Sequence, residues 1–325
     1  MTGPLLEVNG LVKHFPMRGG LGFGGVRRTV RAVDGVSFTI AEEEAFGLVG
    51  ETGSGKSTVS RLIARLIEPT AGEIRIDGED WLALSPRALR SRRRKVQMVF
   101  QNPFSSLDPR WTVQRLIAEP LRAHRAVPRE RIAARVAELM QAVGLNSDHG
   151  QRYPHQFSGG QRQRIGLARA LALEPRLLIA DEPVSALDVS VQAQVLNLMR
   201  SLQREYRLSI LFISHNLSVV NYLCARVGVL YLGRLVEVGE TVELFRRPAH
   251  PYTQALIAAI PQPVPAPPRV RPLTGEIGSL LNPPRGCPFH PRCPIAVDTC
   301  RTAVPALREL RPRHFAACYL AEAES

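Results

Sequence analysis

Apolar and polar positions alternate along residues 5–15, LLEVNGLVKHF, and again along 31–40, RAVDGVSFTI. That period of two predicts a pair of strands, separated by the glycine-rich segment PMRGGLGFGGVRR. EEAFGLVG (43–50) is apolar without interruption and predicts a buried strand. KSTVSRLIARLI (56–67) repeats its apolar residues at helical spacing, and GEIRIDG (72–78) predicts a strand between two turns. From Pro109 to Gly144 the pattern is helical, most clearly in AARVAELMQAVGL. PRLLIADEP (175–183) and LSILFISHN (208–216) are short buried strands, each preceded by a helical stretch. VGVLYLGRLVEVGE (227–240) predicts a hairpin turning at Gly233. HPYTQALIAAIP is followed by a proline-rich link, PQPVPAPPRVRP (261–272), and then by a cysteine-bearing tail. Strands alternating with helices predict an α/β core. No stretch repeats another.

Composition narrows the class. The chain has 325 residues, 45% hydrophobic and 22% charged, which excludes a disordered or membrane-embedded chain. No apolar run is long enough to cross a bilayer, and MTGPLLEVNG lacks the basic-then-apolar pattern of a signal peptide, so a cytoplasmic protein is expected. The net charge of +13 suits a nucleic-acid or membrane surface, and equally an arginine-rich composition with basic ends. The densest cluster, RSRRRK (90–95), also fits a solvated helix face. The only lysines are Lys13, Lys56 and Lys95. A chain that uses arginine almost everywhere therefore keeps a lysine beside the glycines of GETGSGKST, where a compact ammonium is wanted rather than a planar fork.

That stretch runs Gly50, Glu51, Thr52, Gly53, Ser54, Gly55, Lys56, Ser57, Thr58. A loop of this form turns successive backbone N–H groups toward phosphate oxygens at the positive end of the next helix. Lys56 would reach the β- and γ-phosphates and the Ser57 hydroxyl would ligate Mg²⁺. An ordinary glycine turn is the alternative, but the strand before and the helix after favour the phosphate loop. Alone it specifies a nucleoside triphosphate and no particular enzyme. In LLIADEP, a buried strand delivers Asp181, which can hold Mg²⁺ through water, while Glu182 is placed to polarise an attacking water. Plain surface charge is the bland alternative for such a pair.

FSGGQRQR (157–164) opens a further helix with Ser158, Gly159, Gly160 and Gln161. It is a second anion-binding helix end, useful if it serves a nucleotide held by another subunit. The stretch resembles the LSGGQ signature of ABC ATPases, with Phe157 replacing the leucine. Gln101 in MVFQNP, SALD (185–188) and His215 in FISHN stand in the order that family shows. Phe15 in VKHF matches its adenine-stacking aromatic; a core phenylalanine is the alternative. QNPFSSLDPR, YPHQFSGGQRQRIGLARALALEP, HPYTQALIAAIP and GCPFHPRCP narrow the resemblance to the ATPases of oligopeptide/dipeptide importers, of the DppF/OppF type. Asn216 departs from the aspartate that usually follows the switch histidine.

Cys224 fits a buried apolar position. Cys287, Cys293, Cys300 and Cys318 follow the spacing C-x5-C-x6-C-x17-C, which contains no zinc knuckle and fits no common ferredoxin pattern. Disulfides do not suit a cytoplasmic setting. A four-thiolate iron–sulfur cluster, zinc and unligated thiols all stay open on spacing; the family resemblance implies [4Fe–4S]. The tail is short, proline-rich and poor in apolar pattern, so a metal is expected to supply its ordering.

The resemblance implies a three-layer ABC ATPase core over residues 1–245, with an antiparallel β subdomain and a helical subdomain at about 102–165, and a C-terminal extension over 246–325. It implies ATP and Mg²⁺ as cofactors, with Ser57, Gln101 and Asp181 at the metal, and Glu182, His215 and Gln101 as the catalytic set. It implies a second ATPase subunit in a heterodimer, two transmembrane permease subunits and an extracytoplasmic peptide-binding protein, with no direct nucleic acid. The chain would sit on the cytoplasmic face of the bacterial inner membrane and drive peptide uptake. A soluble ABC ATPase acting on nucleic acid or ribosomes, and an importer of nickel or another small solute, are the alternatives.

Overall fold

A computed structural model of the chain describes residues 3–17, 28–101, 106–260 and 278–323. The glycine-rich segment from residue 18, the first residues of the expected helical subdomain and the proline-rich link lie outside the described residues. Strands along the chain are β1 (Leu6–Met17), β2 (Arg28–Ile40), β3 (Ala45–Val49), β4 (Ala71–Ile76), β5 (Glu79–Asp80), β6 (Val96–Val99), β7 (Leu177–Asp181), β8 (Ser209–Ser214), β9 (Arg226–Tyr231), β10 (Arg234–Glu240), β11 (Arg308–Arg311) and β12 (His314–Ala316). The α-helices are α1 (Lys56–Ile63), α2 (Pro86–Arg92), α3 (Val113–Ala123), α4 (Ile132–Ala142), α5 (Gly159–Leu171), α6 (Val189–Glu205), α7 (Leu217–Leu223), α8 (Thr241–Arg246), α9 (Pro251–Ala258) and α10 (Asp298–Thr302). They belong to two compact units. One comprises Met1–Leu5, Ile40–Glu44 and Ala83–Ile213; the other comprises Leu6–Thr39, Ala45–Leu82 and Ser214–Ser325.

In the first unit β6, β7 and β8 run parallel, with Val96 opposite Leu177 and Leu177 opposite Ser209. All five residues of β7 are buried. Strands covered on both faces favour continuous apolar sequence, which is why LLIAD shows no alternation. The helical stretch predicted from Pro109 to Gly144 becomes α3 and α4. Each buries one stripe, Val113, Leu116, Ile117 and Leu121 on α3 and Ile132, Val136, Leu139 and Met140 on α4. The arginines of RSRRRK lie exposed on α2 and the 3₁₀ turn after it.

The second unit holds two sheets. β2, β1, β4 and β5 form a four-stranded sheet in that order, in which β4 pairs antiparallel with both β1 and β5. β3 pairs parallel with β9, the predicted β9–β10 hairpin turns at Gly233 (φ 78°), and β12 adds antiparallel to β10. α1 stops short of the predicted residue 67. Arg65 adopts a left-handed φ of 51°, Leu66 N–H bonds back to Arg61 O at 2.8 Å, and Arg65 Nη1 donates to Trp81 O. That is the geometry that ends a helix.

The tail departs from expectation. β12 places Glu237 opposite Ala316 and Val238 opposite Phe315, extending the unit's sheet. Phe289 is fully buried, with its ring 5.3 Å from Tyr231, 5.4 Å from Tyr252 and 5.6 Å from His250. Leu310, Ala316 and Ala321 form a small core against Ala249 and Cys318. Glu237, wholly buried, accepts from Ala249 N–H (2.8 Å), His250 N–H (2.9 Å) and His314 Nε2 (2.7 Å), so β10, the start of α9 and β12 meet on one carboxylate. A buried carboxylate is tolerated only when its lone pairs are taken up in this way. Sheet pairing and aromatic burial thus give the tail packing contacts that its sequence pattern did not display.

Candidate nucleotide site

The second unit carries the phosphate loop. β3 is buried along its length and is followed by Gly50, whose φ of 155° and close approach to Leu230 O, 2.1 Å from where a Cβ would stand, admit only glycine. Gly55 (φ 106°) caps α1 without a side chain, and a Cβ there would meet Ala32 O at 2.2 Å. The loop is thus drawn against neighbouring backbone at both ends. Lys56 is buried, and its Nζ donates to Gly50 O (2.7 Å), Glu51 O (2.9 Å) and Ser54 Oγ (3.3 Å). The ammonium therefore sits inside the curl of the loop, at the N-terminal end of α1.

Phe15 on β1 is 37% exposed, with Lys13 Nζ 5.0 Å from its ring centroid. It is not a core phenylalanine, and an exposed ring is available for stacking. His215 is exposed just after β8, and Asn216 next to it caps α7, accepting from Ser218 N–H at 3.0 Å. Asparagine and aspartate cap helices about equally well, which accounts locally for the departure at Asn216.

The first unit carries the acids. β7 ends in the buried Asp181, and Glu182 follows in a left-handed conformation, φ 47°. Glu182 N–H bonds Ile213 O (2.9 Å), and its Oε2 accepts from Gln101 Nε2 at 2.9 Å. A non-glycine residue at positive φ is costly and is held there by its surroundings. Glutamine and glutamate, 81 residues apart, are thereby brought together.

In the same unit Ser158 and Gln161 form a reciprocal capping box at α5: Gln161 N–H donates to Ser158 Oγ (3.3 Å) and Ser158 N–H to Gln161 Oε1 (3.0 Å). The box leaves the N–H groups of Gly159 and Gly160 outside it. A Cβ on Gly160 would lie 2.3 Å from Val191 Cγ1 on α6, so the glycine lets the two helix starts close up. Phe157 is buried, filling the apolar position that leucine takes in the signature pattern. Asp188 caps α6 by accepting from Val191 N–H, and this bond with that from Ser190 holds its carboxyl below the ordinary aspartate range.

Among the described residues no group of three or more His, Cys, Asp or Glu is spaced to hold a metal ion. For Mg²⁺ this raises no conflict, because Mg²⁺ is commonly held by one or two carboxylates plus substrate phosphates. Cys287, Cys293, Cys300 and Cys318 are not gathered into such a group. Burial pushes the Cys287 thiol up to about 11, with lesser contributions from Cys300, Cys293 and Cys318, and burial also raises Cys293. Cys224 is buried, as its apolar context implied.

Two contacts to the loop were not legible beforehand. Tyr252 Oη on α9 accepts from Glu51 N–H at 2.8 Å, and Arg292 in the tail makes a two-point ion pair with the Glu51 carboxylate. Burial raises the Tyr252 phenol, keeping it neutral.

A phosphate loop after a buried strand, an acid pair ending a parallel strand and a glycine-led capped helix define an ATP-binding cassette. The comparisons carry this further. The ABC transporter family profile matches residues 33–185, and that of the oligopeptide/dipeptide transporter C-terminal region matches 236–300. A peptide import ATP-binding protein of Brucella ovis is 52% identical over 316 residues, 97% of both chains. The oligopeptide transport ATP-binding protein AppF of Bacillus subtilis is 50% identical over 320 residues, again 97% of both. Among solved structures, the cassette MJ0796, in a dimeric post-hydrolysis state bound to ADP and phosphate, aligns with a TM-score of 0.63 at 28% identity, over 73% of this chain and 98% of that one. The chain belongs to the ABC transporter ATP-binding proteins, in their oligopeptide/dipeptide transporter family.

Proposed function

We propose that this chain is the ATP-hydrolysing subunit of a peptide importer, coupling ATP turnover to uptake of dipeptides or oligopeptides. The observation that carries the reading is the Gln101–Glu182 pair at the end of buried β7: a carboxylate held by a neutral donor, at a strained backbone position, next to a buried aspartate. Glu182 orients the attacking water, and Gln101 sets the direction of its carboxylate. Gly50–Thr58 cradle the phosphates, with Lys56 as the compact cation. Ser57, Asp181 and Gln101 are the residues that would hold Mg²⁺, which neutralises phosphate charge when bound. Phe15 stacks on the adenine, and His215, exposed after β8, contacts the γ-phosphate. Ser158–Gln161 serve a nucleotide held mainly by a second ATPase subunit, so that ATP binding draws the two subunits together.

The importer reading brings two permease subunits and an extracytoplasmic peptide-binding protein, with this chain on the cytoplasmic face of the membrane. No helix among the described residues is long and apolar enough to cross it. A second, distinct ATPase subunit in a heterodimer is part of the proposal. So is a [4Fe–4S] cluster, or its zinc alternative, on Cys287, Cys293, Cys300 and Cys318. That part rests on the family resemblance of the tail, and no step of ATP turnover runs through it. The test is reconstitution of the chain with its permeases and binding protein in vesicles. ATP-dependent uptake of a labelled dipeptide or oligopeptide is expected. Uptake of nickel or a sugar with none of peptide would overturn the substrate, and ATP turnover stimulated by nucleic acid alone would overturn the importer.

A further inference from the structure

Glu51, the second residue of the phosphate loop, is held at three points. Its N–H donates to Tyr252 Oη at 2.8 Å, its carbonyl accepts from Lys56 Nζ at 2.9 Å, and its carboxylate takes two bonds from Arg292, Nη1 to Oε2 at 2.7 Å and Nη2 to Oε1 at 3.0 Å. The Arg292 side chain is 6% exposed and that of Glu51 22%. Tyr231 and Phe289 wall the guanidinium, each ring centroid 5.9 Å from it, and Tyr231 Oη lies 3.5 Å from Nη1. Arg292 closes the 3₁₀ turn His290–Arg292 between Cys287 and Cys293, fixed by Arg292 N–H to Phe289 O and Cys293 N–H to His290 O. A parallel two-point guanidinium–carboxylate pair sets direction as well as distance, and partial burial spares it most solvent screening.

We infer that Arg292 is a positioning residue for nucleotide binding: through Glu51 the tail fixes the phosphate loop and cancels a carboxylate that would otherwise face the triphosphate. Both effects follow from the same pair. The geometric one holds the loop backbone, whose N–H groups must converge on phosphate oxygens. The electrostatic one removes a like charge from the path of an anion bearing several negative charges. The tail is therefore part of the nucleotide site, and the turn between Cys287 and Cys293 is its point of contact.

This inference rests on the ATP-binding reading of the loop, and the experiment separates the two. Binding of a fluorescent ATP analogue is measured on the full-length chain, and KM and kcat on the reconstituted complex, for wild type, Arg292→Gln, Arg292→Lys, Glu51→Gln, the Arg292→Gln/Glu51→Gln double variant and Lys56→Ala. Arg292→Gln is expected to weaken ATP binding about tenfold, since it leaves a charge unpaired on the loop. The loss should appear in KM, with kcat changed less than about twofold. Arg292→Lys should recover part of it. The double variant should bind no worse than Arg292→Gln, because removing the Glu51 charge relieves the repulsion. Unchanged ATP affinity in Arg292→Gln, or losses that add in the double variant, would overturn the inference. If Arg292→Gln does not fold, Arg292→Lys and Glu51→Gln carry the test, and unchanged affinity in both overturns it. Wild type that binds no ATP, or Lys56→Ala that binds it normally, would instead overturn the reading on which the inference rests.

Discussion

Glu182 shows what one residue contributes and what its neighbours must supply. Its backbone is left-handed and its carboxylate is tied to Gln101, so rotation is restricted before any nucleotide arrives. Glu182→Gln preserves shape and hydrogen bonding while removing the charge that polarises water. Phosphate release by the reconstituted complex should fall at least about a hundredfold, with ATP still bound, since the loop contacts remain. Turnover near wild type would remove Glu182 from the chemistry. The glycines, Lys56, Asp181 and Glu182 were legible because their roles depend on spacing within a few residues, which the sequence displays. Arg292 was not: it meets a residue 241 positions away, and among so many arginines nothing in its local sequence sets it apart.

Elements were legible where their period was long enough to repeat. β1, β2 and the helical stripes of α3 and α4 span several turns or pleats, whereas β11 and β12 have four and three residues and cannot show a period. The end of α1 was missed because a left-handed arginine stops it where glycine is usual. α9 illustrates how an element's end can matter to a site beyond it. His250 caps it, accepting from Tyr252 N–H at 3.1 Å, and Tyr252 in turn holds Glu51. Burial lowers the His250 pKa from 6.5 to about 4, opposed by Glu237, which also binds His314; the Phe289 ring lies against the imidazole. Between those values the unfolded chain binds more protons than the folded one. Stability from this group is complete above about pH 6.5 and is lost as pH falls toward 4. At pH 5 the loss amounts to about 2 kcal/mol. His250→Asn keeps a capping acceptor and removes the titration, so its urea midpoint should vary less between pH 7 and pH 5 than that of wild type. Equal pH dependence in the two proteins would assign that window to other groups.

At the scale of the whole molecule, the tail changes meaning. From its sequence it resembles a small appendage needing a metal, because its apolar residues are few and unperiodic. In the fold those few residues are used against surfaces the rest of the unit provides: Phe289 between Tyr231 and Tyr252, β12 along β10, His314 on buried Glu237. A segment that borrows a core has less need of a staple of its own. This separates two questions that the sequence joins, whether the four cysteines bind metal and whether the tail depends on it. Metal content of anaerobically purified full-length protein answers the first, with about four irons per chain the value for one cluster. For the second, the metal is stripped with a chelator under reducing conditions. Residues 278–323 should stay protected from proteolysis, and ATP affinity should stay within about twofold, because neither the aromatic packing nor the Arg292–Glu51 pair requires a metal. A stripped protein whose tail is cleaved, and whose ATP affinity falls as far as in Arg292→Gln, would show that the metal holds the turn that Arg292 closes.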